Sequence, residues 1–123
     1  MARKWLKWDF GRQKTGYKKM LLATSEFLIP FDLYILKFEE GNSIPEHTDP
    51  VKSGFKHYRL NIILKKSTSG GEFIAEKSII NWPRLKFFRP DLFKHSVTTV
   101  IGKPRYVLSF GLLIKEKIDI FKY

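Results

Sequence analysis

The chain has 123 residues, enough for one compact core and too few for several domains of ordinary size. A hydrophobic content of 43% excludes a disordered polyelectrolyte despite a formal net charge of +11, and no apolar run approaches the roughly 20 residues that span a bilayer. Cys is absent, which excludes disulfides, thiolate metal ligands and a cysteine nucleophile. No apolar stretch of signal-peptide length follows the basic N-terminus, so the cytoplasm is the expected compartment, with no membrane partner.

Residues 1–19 carry seven cations (Arg3, Lys4, Lys7, Arg12, Lys14, Lys18 and Lys19) against one acid, Asp9, with Trp5 and Trp8 among them. The expected organisation is a basic N-terminal extension over 1–19 and a single domain over 20–123. Such an extension can follow phosphates and stack on bases. The plainer alternative is a solubilising arm whose Trp residues pack back on the domain. Residues 18–28 (KKMLLATSEFL) fit a helix or a flanking strand equally well.

From residue 31 onward the apolar period is two. Residues 32–39 (DLYILKFE) place Tyr34, Leu36 and Phe38 on one face of a strand. A turn at 40–43 leads to a second extended stretch at 44–49, where Pro45 suits an edge or a strand start. After a polar loop, residues 57–65 (HYRLNIILK) set Arg59, Asn61 and Ile63 against Tyr58, Leu60, Ile62 and Leu64. A turn over 67–71 uses Gly70-Gly71, and short strands are expected at 72–75, 77–82 and 85–89. Residues 95–101 and 105–114 flank the turn Gly102-Lys103-Pro104 and are expected to pair as a hairpin. His57 reads as a surface residue beside a loop, and Phe87, Phe88 and Phe93 read as core. About eight short strands at this spacing predict a mostly β sandwich or barrel, with the strand count of a jelly roll.

Three His residues carry the metal argument: His47, His57 and His95. In an extended chain His47 and Asp49 point to the same side. His95, where a loop enters a strand, is the candidate that completes a 2-His-1-carboxylate facial triad, the set that holds Fe(II) with open positions. Ten residues on, Arg105 opens the last strand. In the expected hairpin its guanidinium points into the barrel near the metal. A buried guanidinium needs an anion, and a dicarboxylate supplies one with a bidentate fit.

These residues and their order resemble the Fe(II)/2-oxoglutarate-dependent oxygenases, which share a double-stranded β-helix; the resemblance covers residues 32–114. The stretch F-E-E-G-N-S-I-P-E-H-T-D (38–49) is similar to the Y-x-x-G-x-x-Y-x-P-H-x-D stretch of the prolyl-hydroxylase group, with Phe38 and Ile44 where that group has Tyr. R-L-N-I-I-L followed by S-G-G-E-F (59–73) resembles the same group's central strand and turn. The R-L-N-I strand also resembles one in the aspartyl/asparaginyl β-hydroxylase group, with Asn61 in place of its His. His95, Arg105 and L-S-F (108–110) look like the family's closing motif.

The resemblance implies Fe(II) on His47, Asp49 and His95. It implies 2-oxoglutarate on Arg105, with Arg59, Asn61, Ser109 and Tyr34 as further candidate contacts. It also implies O2 as cosubstrate, ascorbate as accompanying reductant, and hydroxylation of a peptidyl side chain, a nucleic acid or a small molecule. The alternative from a different class is a non-catalytic basic β-sandwich that binds nucleic acid through its N-terminal segment.

Overall fold

The computed structural model describes residues 6–11, 16–25 and 29–116. Twelve strands follow in chain order: β1 (Trp8–Phe10), β2 (Lys18–Ser25), β3 (Phe31–Phe38), β4 (Ile44–His47), β5 (Phe55–Lys65), β6 (Ser69–Gly70), β7 (Phe73–Ala75), β8 (Ile80–Trp82), β9 (Leu85–Phe88), β10 (His95–Val97), β11 (Val100–Ile101) and β12 (Arg105–Lys115). No helix occurs among the described residues, hence none long and apolar enough to cross a membrane.

A seven-stranded antiparallel sheet runs in the order β1-β2-β3-β12-β5-β9-β8. A three-stranded sheet, β4-β10-β7, and a two-strand pair, β11-β6, complete the described fold. Alternation gives each strand of the large sheet two faces. Phe38, Ile63 and Val107 from the inner face form a core with Val97 and Val100 from the smaller sheets, and Tyr17 stacks on Phe38 with ring centroids 5.0 Å apart. Tyr58, Phe87 and Ile114 form a second cluster on the opposite face. The all-β expectation therefore holds, and residues 18–25 are strand.

Two expectations about pairing change. The stretch 95–101 is not one strand: it divides into β10 and β11, which pair with β4, β7 and β6. It makes no hairpin with β12, which lies in the large sheet between β3 and β5. The turn at 102–104 thus carries the chain from one sheet to the other.

Within the segment expected to be an extension, Trp8–Phe10 pairs with β2 as the edge of the large sheet, and β2 itself starts at Lys18. Trp5 and the cations at 3, 4, 12 and 14 lie outside the described residues. The Gly70 turn is sterically required: φ is 64°, and a Cβ there would sit 1.9 Å from the Thr99 carbonyl oxygen.

Candidate metal centre and cavity

His47 ends β4 and His95 begins β10, and the two are direct partners in the β4–β10 ladder. That register brings their rings to 4.3 Å between centroids. Asp49 follows two residues after His47, and its backbone N–H donates to the Pro90 carbonyl at 2.8 Å. Its carboxylate stands between the imidazoles, with Oδ1 3.4 Å from His47 Nε2 and Oδ2 3.4 Å from His95 Nε2. One candidate ligand atom from each residue lies within 4.8 Å of the others.

The other ring nitrogens define the chemistry. His47 Nδ1 is 2.7 Å from the Pro45 carbonyl oxygen, and His95 Nδ1 is 3.0 Å from that of Phe93. A carbonyl oxygen only accepts, so each Nδ1 carries the proton and donates. In the neutral rings both Nε2 lone pairs then face a carboxylate, an arrangement that a cation among them would satisfy. An ion about 2.0–2.2 Å from imidazole and carboxylate donors holds neighbouring donors roughly 3–3.5 Å apart, and both His–Asp separations match. Two imidazoles and one carboxylate, without thiolate, suit a divalent first-row ion with open positions.

The triad opens into a cavity of about 210 Å³ between the sheets, below the roughly 300–1,000 Å³ of sites for drug-sized ligands. Arg105, Arg59, Asn61, Ser109 and Tyr34 all line it. Their partners differ. Arg59 donates from Nη1 to Ser109 Oγ at 2.7 Å and from Nη2 to Asp32 Oδ1 at 2.8 Å. The anion that an inward Arg59 requires is thus Asp32, and the Ser109 oxygen already accepts a hydrogen bond. The Tyr34 ring lies under the Lys19 ammonium, 5.0 Å from its centroid. Asn61 Oδ1 is buried without a hydrogen-bond partner.

Arg105 stands apart. It is only 5% exposed, and its guanidinium carbon lies 5.2 Å from the Phe38 ring centroid. Among the described residues no hydrogen bond or ion pair reaches it. Burial pushes its guanidinium down to about 10, still charged at neutral pH. An unpaired buried guanidinium on a cavity wall is a site for an anion.

His57 is a correction. It lines the cavity beside Arg59, with Nδ1 buried and unpartnered, and is not a surface residue. Burial first, and the Arg59 charge second, lower it to about 4. Asp32, Tyr17, Phe73 and Phe88 also line the cavity. Period-two counting back from Arg59 and from Tyr34 reaches His57 and Asp32, so alternation carried the signal for both. Phe88 is core, as expected, but also stands 5.2 Å from the His95 ring.

No family model matches the sequence, and no curated protein matches it. Among solved structures, a chain in the crystal structure of Rhodobacter sphaeroides SigE in complex with the anti-sigma ChrR is similar, with a TM-score of 0.53 at 16% identity. The match covers 85% of the present chain and 47% of that one, so this chain spans about half its length. At that identity the likeness concerns the fold alone.

Proposed function

We propose that this protein is an Fe(II)- and 2-oxoglutarate-dependent oxygenase on a double-stranded β-helix. The observation that carries the reading is the triad itself: two Nε2 atoms and a carboxylate converge with both Nδ1 protons committed to backbone carbonyls. Strand connectivity supports the fold assignment, because β3, β4, β5, β7, β9, β10 and β12 alternate between the large and the small sheet.

When bound, Fe(II) with 2-oxoglutarate supplies the oxidising chemistry: O2 is consumed, the oxo acid loses CO2 to become succinate, and the substrate gains a hydroxyl. The chain's own residues have separable tasks. His47, Asp49 and His95 hold the ion on one side and leave the cavity side open. Arg105, buried on the cavity wall, would receive the distal carboxylate of 2-oxoglutarate, with a planar fork that a lysine lacks. Phe73 and Phe88 line the cavity with apolar surface and keep water from the reacting centre. Arg59, fixed by Asp32 and Ser109, closes the wall without offering a free fork.

The test is substrate-independent turnover. Purified protein given Fe(II), ascorbate and 2-oxoglutarate should form succinate above an iron-only control, and Asp49→Ala and His95→Ala should reduce this to the control rate. Protein that binds one metal ion yet forms no succinate defeats the oxygenase reading and keeps the metal site.

A further inference from the structure

The large sheet has two apolar faces, and the described residues cover the inner one far better than the outer. Along β12 the inward residues Arg105, Val107, Ser109 and Gly111 are buried, while the outward Tyr106, Leu108, Phe110 and Leu112 are only partly so. This strand has a hydrogen-bonded neighbour on each side, so a missing strand does not explain the difference. An antiparallel sheet that turns one face to water alternates apolar with polar residues. Here Leu33 and Ile35 on β3, and Leu60 and Ile62 on β5, repeat the outward pattern of β12: apolar and partly covered. At one end Lys56 and Arg89 lie over the Tyr58 ring and shelter it.

The register draws an unbroken apolar row across the outer face of all seven strands. Trp8 pairs with Met20, Met20 with Ile35 and Ile35 with Leu108; Leu108 pairs with Ile62, Ile62 with Leu85 and Leu85 with Trp82. The two end indoles are 40% and 60% exposed. The row reads alike from either edge, with Leu108 at its centre, and this makes the face self-complementary. Half a turn about an axis running along β12 above Leu108 sets Trp8 over the partner's Trp82, Met20 over the partner's Leu85 and Ile35 over the partner's Ile62. Each contact then recurs in reverse, as an isologous interface requires.

The dimensions suit such a pair. Seven strands span about 30 Å and three outward positions about 20 Å, so two faces together remove roughly 1,200 Å² from water, the lower end of a standard stable interface. Charge stays at the margin: Lys18 and Lys37 occupy the next outward position beyond Met20 and Ile35. An apolar centre with a charged rim is the ordinary anatomy of an interface.

We propose that two copies of this chain pair through the outer faces of their large sheets, with Leu108 at the two-fold axis and Trp8 of each copy against Trp82 of the other. The contact lies on the side of the sheet away from the metal centre and stands whether or not the oxygenase reading does.

Sedimentation velocity of the full-length protein should give twice the monomer mass at about 0.1 mM, above the micromolar limit usual for interfaces of this class. Added salt should tighten the pair, because it screens the net +11 that each copy carries. Leu108→Lys should raise the dimer dissociation constant at least a hundredfold. The chain has no Cys, so Leu108→Cys provides a single thiol at the axis. A short bismaleimide should join two such copies, since facing sheets lie about 10 Å apart. Lys52→Cys, in the loop before β5, should not be joined. The thiol pair keeps the test decisive even where Leu108→Lys does not fold. A wild type that stays monomeric at that concentration overturns the proposal, and its retention on phosphatidylglycerol vesicles would assign the face to a lipid surface instead. A dimer that loosens with salt, or that cross-links equally at both thiols, is held by another face and overturns it as well.

Discussion

His95 sits directly across the β4–β10 ladder from His47, and this single register contact sets the metal centre. A slip of one residue would turn one imidazole to the other face of the sheet. Asp49, beyond the end of β4, is held by its N–H bond to the Pro90 carbonyl, so the third ligand depends on the turn over residues 89–91.

Metal affinity should therefore be lost by ligand removal without loss of fold. Isothermal titration with Co(II) or Fe(II) should give one site in the wild type. His47→Ala, Asp49→Ala and His95→Ala should each weaken it at least a hundredfold, about 2.7 kcal/mol, with an unchanged far-ultraviolet dichroism spectrum. Wild-type stoichiometry surviving in any of the three would remove that residue from the site.

Arg105→Lys keeps the charge and loses the fork. The apparent 2-oxoglutarate constant should rise at least tenfold, roughly 1.4 kcal/mol, with metal affinity intact. An unaltered constant would exclude Arg105 as the anchor and leave the cavity without a free buried guanidinium among the described residues.

The Arg89–Asp91 pair should govern stability and, through Pro90, the metal site. Both side chains are 6% exposed and share two contacts, at 3.0 and 2.6 Å, while the guanidinium carbon lies 5.2 Å from the Tyr58 ring centroid. Asp91→Ala removes both of these contacts from a buried guanidinium and should cost about 3–5 kcal/mol in urea unfolding. A loss below 1 kcal/mol would mean that water reaches the guanidinium.

Gly111 lets Arg59 cross β12 from β5 to reach Asp32 on β3. A Cβ at Gly111 would lie 2.2 Å from Arg59 Nη2 and 3.0 Å from Asp32 Oδ1. Gly111→Ala should displace the guanidinium and cost about 1–3 kcal/mol. Because Asp32→Ala removes the same ion pair, the double variant should be clearly less destabilised than the sum of the two singles. Strict additivity in a double-mutant cycle would refute this.

The lowered His57 gives a pH dependence with a definite sign. Above the ordinary value of 6.5 His57 is neutral in both states and contributes nothing. As pH falls from 6.5 towards 4, the unfolded chain takes up a proton that the folded chain refuses, so stability declines. The loss over that window should be about 1–3 kcal/mol in metal-free protein, and His57→Phe should remove it. Equal slopes for the two proteins would show that other groups dominate.

The strands were legible because period-two alternation is local, and so was the H-x-D pair. Arg105 was expected to face the interior from a hairpin of 95–101 with 105–114; the residue does line the cavity, but on a strand held between β3 and β5. Pairing was not legible. Nothing within residues 95–105 reveals that β10 and β12 belong to different sheets, since the partners are remote in sequence, Ile44 for Val97 and Phe38 for Arg105; the Gly-Lys-Pro turn serves a sheet crossing as well as a hairpin. Arg59 was ambiguous for the same reason: its anion, Asp32, comes from a strand two places across the sheet. Gly111 in the middle of a strand was a sign of close approach, readable without knowing what approached.

Both acceptors that orient the imidazoles belong to the main chain, at Pro45 and Phe93, each two residues before the His it serves. No side-chain substitution at either position deletes a carbonyl. The proton placement that frees both Nε2 atoms is thus written into backbone path and not into residue identity. Random mutagenesis should find the three ligands readily and never find their supports; only changes that move the chain itself, an insertion or deletion between residues 45 and 47 or between 93 and 95, would disclose them.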